Sequence, residues 1–173
     1  MKQFRLSGSG GQGLILAGII LAEAAINEGK EAVQSQSYGP EARGGSSKSE
    51  VIIAERAIHF PKVLEPNFLL AMTQESLDKY SGDLKPDSTI LIDSTFVKKV
   101  PSQFKVYSVP ITKLAKEHLG RDLFANIVAL GAIIKLTAPV SFSTLQEAVL
   151  ARVPKGTEEA NSKALQIGFD AVG

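Results

Sequence analysis

The sequence predicts an α/β fold: a single three-layer domain with a mostly parallel sheet, a Rossmann-like N-terminal turn and a helical C-terminal part. Three observations carry that expectation. Short apolar runs of strand length alternate with helix-length segments, the pattern of crossover units and parallel pairing. A glycine-rich turn, Gly8-Ser9-Gly10-Gly11-Gln12-Gly13, joins the first such run to the first such helix. After Val109 the apolar pattern turns helical. A length of 173 residues suits one domain spanning 1–173 with a sizeable core, and two full domains would be cramped.

Residues 3–7 read as a short buried strand feeding the glycine turn. Residues 14–28 read as a helix closed by Gly29, which suits the left-handed C-terminal cap. From Leu14 to Ala22 this helix is apolar on all faces, more than one sheet face needs, so burial on a second side is expected. Residues 32–35 give a second strand, and 47–54 a third, centred on Val51-Ile52-Ile53. Two further apolar runs, 68–72 and 89–92, have the look of parallel-sheet strands. Thr73 is placed to cap a short helix running to Lys79. Residues 82–88 form a polar turn, and 105–109 an edge strand. Residues 126–136 are nearly all apolar, broken by Lys135 and stopped by Pro139. Ser143 with Gln146 has capping-box form ahead of 145–149. Residues 157–170 give a last amphipathic helix, with Glu158 and Glu159 in its first turn where the dipole favours acid.

Composition removes several function classes. A net charge of +1 without a lysine or arginine run gives no electrostatic footprint for nucleic acid. The chain has no cysteine, which excludes disulfides, thiolate zinc sites, iron–sulfur ligation and a Cys nucleophile on this chain. The N-terminus runs straight into a strand, leaving no room for a signal peptide. The longest apolar run is interrupted by Glu23 and falls short of the about 20 residues that span a bilayer. A cytoplasmic protein with no membrane partner is expected.

The strand–Gly8-x-Gly10-x-x-Gly13–helix spacing matches the dinucleotide pattern, in which backbone N–H groups approach a pyrophosphate at the helix start. The acidic residue that would hold the ribose hydroxyls is missing. Gln34-Ser35-Gln36-Ser37 occupies that region, and no carboxylate follows until Glu41. A tight turn without a ligand, an anionic group of another kind, or a partner loop resting at this helix end all remain open. No Walker A motif and no nucleophile elbow occur. His59 and His118 lack metal-ligand spacing and read as surface or loop residues. Asp93 closes an apolar strand, where open α/β sheets bind ligands, although a turn or helix-capping role fits equally.

A second glycine-rich stretch reads Ser37-Tyr38-Gly39-Pro40-Glu41-Ala42-Arg43-Gly44-Gly45. The planar fork of Arg43 suits a carboxylate or phosphate, and Tyr, Glu and Arg on one Gly/Pro framework suit recognition. An intraloop ion pair is the plainer alternative. The two glycine loops are expected to leave neighbouring strands at the carboxyl edge of the sheet. They would face one crevice lined further by Thr73, Gln74 and Asp93, able to receive a phosphate or carboxylate.

Taken together, Gly10-Gly11-Gln12-Gly13 and Ser37 to Gly45 resemble the γ subunit of 2-oxoacid:ferredoxin oxidoreductases. The likeness runs almost the whole chain, through Phe60-Pro61-Lys62-Val63, Ala71-Met72-Thr73-Gln74-Glu75, Leu91-Ile92-Asp93-Ser94 and Asn126-Ile127-Val128-Ala129-Leu130-Gly131-Ala132. The Pro40-Glu41-Ala42-Arg43-Gly44-Gly45 form looks most like the 2-oxoglutarate branch, with branched-chain oxoacid enzymes close to it. The resemblance implies a thiamine diphosphate- and iron–sulfur-dependent oxidation of a 2-oxoacid with coenzyme A to acyl-CoA and CO2, ferredoxin being the acceptor. It implies α and β partner subunits, with a ferredoxin-like δ subunit as an optional further chain. Thiamine diphosphate and the clusters would sit on those partners, coenzyme A would be the co-substrate of the complex, and this chain would hold no cofactor, metal or catalytic residue. The cofactor-binding or subunit-interface residues would be Gly8, Gly10, Gly11, Gln12, Gly13, Tyr38, Gly39, Pro40, Glu41, Arg43, Gly44, Gly45, Thr73, Gln74 and Asp93. The alternative is a free-standing nucleotide- or anion-binding protein using the 8–13 turn. The all-round apolar helices lead to the expectation of a twofold homodimer when the chain is expressed alone.

Overall fold

The computed structural model of the chain describes residues 1–37 and 45–173. The described elements run β1 (Lys2–Gly8), α1 (Leu14–Asn27), β2 (Glu31–Gln36), β3 (Ser47–Ala54), β4 (Phe68–Ala71), α2 (Gln74–Tyr80), β5 (Thr89–Asp93) and β6 (Lys105–Val109). Then come α3 (Ile111–Leu119), a 3-10 turn (Asp122–Phe124), α4 (Ala125–Thr137), α5 (Phe142–Arg152) and α6 (Glu158–Ala171). One six-stranded sheet has the order β2-β3-β1-β4-β5-β6. β1, β4, β5 and β6 pair in parallel, while β3 pairs antiparallel with both β1 and β2. Five strands therefore share one direction, and β3 alone runs against them. The expected edge strand at 105–109 has its expected bounds and closes one side of the sheet.

This order corrects one expectation. β1 and β2 are not neighbours, because β3 turns back after β2 and fills the place between them. The register sets Gly8 opposite Ser47, so the chain enters β3 beside the end of β1. Gln36 at the end of β2 and Ser47 at the start of β3 thus lie at the same sheet edge as Gly8, through β3 rather than through adjacent parallel strands.

Alternation along the strands builds two cores. Phe4, Leu6, Val51, Ile53, Phe68, Leu70 and Leu91 point to the face covered by α1 and the C-terminal helices. Leu69, Ala71, Ile90 and Ile92 point to the opposite face, where Leu77 and Tyr80 of α2 meet them. The crossovers β1–α1–β2 and β4–α2–β5 step in opposite directions from the sheet centre, which places their helices on opposite faces when both are right-handed.

The apolar excess of two helices has a local explanation. α1 lies on β2 and β3 and is covered behind by α5 and α4, while α4 packs most extensively on α6 and also meets α3. Every residue from Ala125 to Ile134 is buried. The second covered side expected of these helices is supplied largely by the chain itself, while Ile15 and Ile26 of α1 stay 41% and 56% exposed. α4 and α6 approach through two glycines. A Cβ on Gly131 would lie 2.0 Å from the Leu165 carbonyl oxygen, and one on Gly168 would lie 1.8 Å from that of Val128.

Helix ends mostly follow the sequence. Gly29 takes φ +81° after α1, and the Lys30 N–H returns to the Ala25 carbonyl, closing that end as expected. Thr73 caps α2, its Oγ1 accepting from the Ser76 N–H at 3.1 Å. The cap of α5 is Ser141 rather than Ser143, since the Ser141 Oγ accepts from the Thr144 N–H at 3.2 Å and Ser143 lies inside the helix. Helix α3 has no counterpart among the sequence-based elements.

Candidate functional site

The 8–13 turn sits at the carboxyl end of β1, and each glycine there has its own reason. Gly8 is forced by packing: a Cβ would meet the Gln12 Oε1 at 2.2 Å and the Met72 Cβ at 3.0 Å. Gly11 and Gly13 take φ of +85° and +75°, the left-handed region that glycine enters without steric cost. Gly13 also abuts α4, where a Cβ would lie 2.5 Å from the Asn126 Nδ2. Gly10 has open space around it and no positive φ, so nothing within the described chain requires glycine there. It leaves bare backbone facing outward. The turn is held by the Gln12 side chain, whose Oε1 accepts from the Ser9 N–H at 2.7 Å. Helix α1 begins here with no side-chain cap and no acid in its first turn, so its first N–H groups have no partner from a capping side chain.

Beside this turn lies a crevice of about 460 Å³, lined by the turn, by Leu16, and by residues from beyond β5 and from the start of α4. Asn126 ties it together. The residue is 6% exposed; Nδ2 donates to the Gly13 carbonyl at 3.1 Å and Oδ1 accepts from the Ile127 N–H at 2.9 Å. Sequence reasoning took Asn126 only as the head of an apolar helix. The signal was available, since a lone amide at the start of so apolar a segment needs a partner when buried.

Gly11, Gln12 and Gly13 line this crevice, whereas Thr73, Gln74 and Asp93 are not among its walls, and the expected lining by Asp93 is corrected by its burial. Thr73 is the helix cap described above. The Gln74 Oε1 accepts from the Lys98 and Lys99 N–H groups at 2.9 and 3.0 Å, and its Nε2 donates to the Lys99 carbonyl, so it clamps the segment after β5. Asp93 is fully buried. Its Oδ1 accepts from the Thr95 N–H at 3.0 Å, and its Oδ2 accepts from the Thr112 hydroxyl at 2.6 Å and the Thr112 N–H at 3.2 Å. The carboxylate thus anchors the start of α3, the capping alternative read in the sequence. Thr112→Val removes a buried hydrogen bond to a charged group and is expected to cost about 2 kcal/mol in urea unfolding, with α3 losing amide protection first.

Tyr38, Gly39, Pro40, Glu41, Arg43 and Gly44 lie outside the described residues. Gly45 takes φ +91°, and a Cβ there would be 3.4 Å from the Glu75 Oε2, which sets the end of that segment beside the first turn of α2. His59 and His118 are both exposed. Among the described residues no group of His, Asp and Glu could hold a metal ion, and no helix is long and apolar enough to cross a membrane.

Comparison with known proteins places this geometry. The family model described as pyruvate ferredoxin/flavodoxin oxidoreductase matches residues 3–171. The chain is 49% identical to the 2-oxoglutarate synthase subunit KorC of Methanocaldococcus jannaschii, covering 98% of this chain and 92% of that one. The crystal structure of a keto/oxoacid ferredoxin oxidoreductase γ subunit from Geobacter sulfurreducens PCA superimposes with a TM-score of 0.90 at 52% identity, covering 99% and 98% of the two chains. A 2-oxoglutarate:ferredoxin oxidoreductase from Magnetococcus marinus, solved with 2-oxoglutarate, coenzyme A and succinyl-CoA, matches 98% of this chain within 30% of its own. Its TM-score is 0.86 at 22% identity, a likeness of fold.

Proposed function

Because this chain belongs to the pyruvate ferredoxin/flavodoxin oxidoreductase family, we propose that it is the accessory γ subunit of an enzyme that oxidises 2-oxoglutarate with coenzyme A to acyl-CoA and CO2 and reduces ferredoxin. The observation that carries this reading is the end-to-end match, at about half identity, to a 2-oxoglutarate synthase subunit and to a γ subunit of the same size. Thiamine diphosphate and the iron–sulfur clusters belong to α and β partners, with a ferredoxin-like δ chain where the complex has one. The complex works in the cytoplasm. The sequence has no cysteine with which this chain could itself ligate a cluster.

The carboxyl edge of the sheet, with Gly8, Gly10, Gly11, Gln12 and Gly13, is assigned to the face toward the catalytic subunits. Tyr38 to Gly45 is assigned to the same face on its residue types and on the place where it re-enters the sheet. A nucleotide-binding reading of the turn fits less well. In dinucleotide sites the acid that holds the ribose ends the strand next to the first one. Here β2 ends in Ser and Gln, and β3 stands between β2 and β1.

The isolated chain is expected to show no 2-oxoacid-dependent viologen reduction and to bind neither thiamine diphosphate nor iron. Turnover by the purified chain alone would refute the accessory role.

A further inference from the structure

We propose that two copies of this chain pair through the free edge of β2, joining their sheets about a twofold axis at Val33 with the two α1 helices side by side above it. The proposal goes beyond the subunit reading and stands independently of it.

The strand edge is open and self-complementary. β2 is the terminal strand of the sheet on its side. Its register with β3, and the Ser37 N–H bonded to the Lys48 carbonyl, turn the backbone groups of Glu31, Val33 and Ser35 toward β3. Ala32 and Gln34 therefore point their N–H and C=O groups outward, where no described group meets them. Free edges are ordinarily blunted by proline, a bulge or a charge, and the stretch from Ala32 to Gln36 has none of these. An antiparallel second copy centred on Val33 sets each Ala32 opposite the other copy's Gln34, so the two residues exchange N–H···O bonds on both sides of the axis. Glu31 falls opposite Ser35 and Lys30 opposite Gln36, so no like charges meet.

The helix above has the matching flank. A Cβ on Gly18 would lie 2.1 Å from the Ser49 Oγ and 3.5 Å from the Gln34 Cγ, so α1 rides over β3 and β2 on its Gly18 face. At about 100° per residue, Ile15, Ile19 and Ile26 share one flank, roughly 60° to 100° round from Gly18. Ala17, Leu21 and Ala24 form the opposite flank and are fully buried, on the side that α4 and α5 cover. The isoleucine flank thus overhangs the free edge of β2, with Ile15 and Ile26 exposed and Ile19 half-buried.

Two dimensions then agree. Strands lie about 4.8 Å apart, so a helix midway over β2 and β3 stands about 5 Å from an axis just outside β2. The two α1 helices come about 10 Å apart, a distance at which helices pack. Val33 lies one strand residue, about 3.3 Å, from Gln34, which corresponds to about two residues of helix past Gly18. The axis therefore passes level with Ile20, close to the midpoint between Ile15 and Ile26, and sets Ile15 of one copy against Ile26 of the other. A second copy satisfies the strand edge and the helix flank with one symmetry operation.

The test uses the full chain purified alone. Sedimentation equilibrium is expected to show a concentration-dependent dimer. Hydrogen exchange should find the Ala32 and Gln34 amides protected in the dimer and exchanging freely on dilution. The Val33 and Ser35 amides, which face β3, should stay protected throughout. Ile15→Glu and Ile26→Lys are each expected to raise the dimer Kd about a hundredfold, since the contact occurs twice per dimer. The double variant should recover to within about tenfold of wild type, and its dimer should weaken as salt rises. Within one copy the two positions lie about 16 Å apart along the helix, so that recovery requires contact between copies. Should a charged variant melt lower than the wild type, the exchange pattern of the wild-type chain decides alone. A monomer at every concentration overturns the proposal, as does a dimer whose Ala32 and Gln34 amides exchange freely. A double variant no tighter than the single ones overturns it as well. Protection of those amides only in the complex with the catalytic subunits would give the edge to that partner, and overturns it too.

Discussion

Gly168→Ala is expected to destabilise the chain by about 3 kcal/mol, at the upper end of what overpacking costs. The added methyl carbon would sit 1.8 Å from the Val128 carbonyl oxygen and 3.1 Å from the Ala132 amide nitrogen. Both belong to the backbone of α4, so no side-chain rotation can clear the space, and the two helices must move apart. That separation also opens Leu165 and Ala164 of α6, both fully buried. Gly131→Ala, facing the Leu165 carbonyl at 2.0 Å from the other side, should cost as much. Gly82→Ala is the control: its Cβ meets nothing within 4 Å and its φ is not positive, so stability should change by less than about 0.5 kcal/mol. Urea midpoints of the three variants decide the matter. Equal midpoints would mean that α4 and α6 do not cross as described.

Arg5→Met is expected to cost about 3 kcal/mol, because it removes one partner of a buried ion pair. Arg5 and Glu50 are 4% and 9% exposed, opposite each other on β1 and β3, with the Arg5 Nε 2.8 Å from the Glu50 Oε2. The rest of the guanidinium donates to Asp83 through two nitrogens and to the Tyr80 carbonyl. Lys48, 3.5 Å from the Glu50 Oε1, compensates part of the loss and keeps the cost at the lower end of the range. Replacing both partners, Arg5→Met with Glu50→Leu, should recover most of the stability, since no uncompensated charge is then buried. The same network sets an acid-side signature. The hydrogen bonds from Arg5 hold the Asp83 carboxyl below its ordinary value of 3.8. Its contribution is therefore complete above that value and is lost as pH falls below it. Asp83→Asn should flatten that part of the stability profile and leave the profile above pH 5 parallel to wild type.

The sequence made most of the fold legible where apolar runs were short and bounded. Residues 47–54 and 105–109 have the expected ends, the first bounded by Gly45-Ser46 and Glu55-Arg56 and the second stopped by Pro110. Strand order was less legible. Nothing in the 38–46 segment tells a strand to fold back antiparallel beside β2 and displace it from β1, since order depends on which edge is left to be covered. Helix α3 escaped for a related reason: its start is fixed by Asp93, 19 residues earlier, through Thr112. At α5 two serines two residues apart competed for the cap. The Gln146 spacing favoured Ser143, while the helix that buries Leu145, Ala148 and Val149 starts two residues earlier, with Ser141 as its cap.

The site was legible in part. The glycine turn is where the spacing put it, at the end of β1 and the start of α1. Its lining was not, because Asp93 and Gln74 look available in a sequence and are fully used in the fold. Asn126 went the opposite way: a buried amide 113 residues from Gly13 becomes visible only when α4 docks on the turn.

One measurement tests the subunit reading most directly. The thiamine diphosphate- and cluster-bearing subunits are co-expressed with and without this chain, and 2-oxoglutarate- and coenzyme A-dependent viologen reduction is followed in each preparation. The expected result is turnover only when the chain is present, in a complex that contains it in fixed proportion, with activity restored on adding the purified chain to the deficient preparation. Full turnover without the chain, or a chain that elutes alone from an active complex, would contradict it.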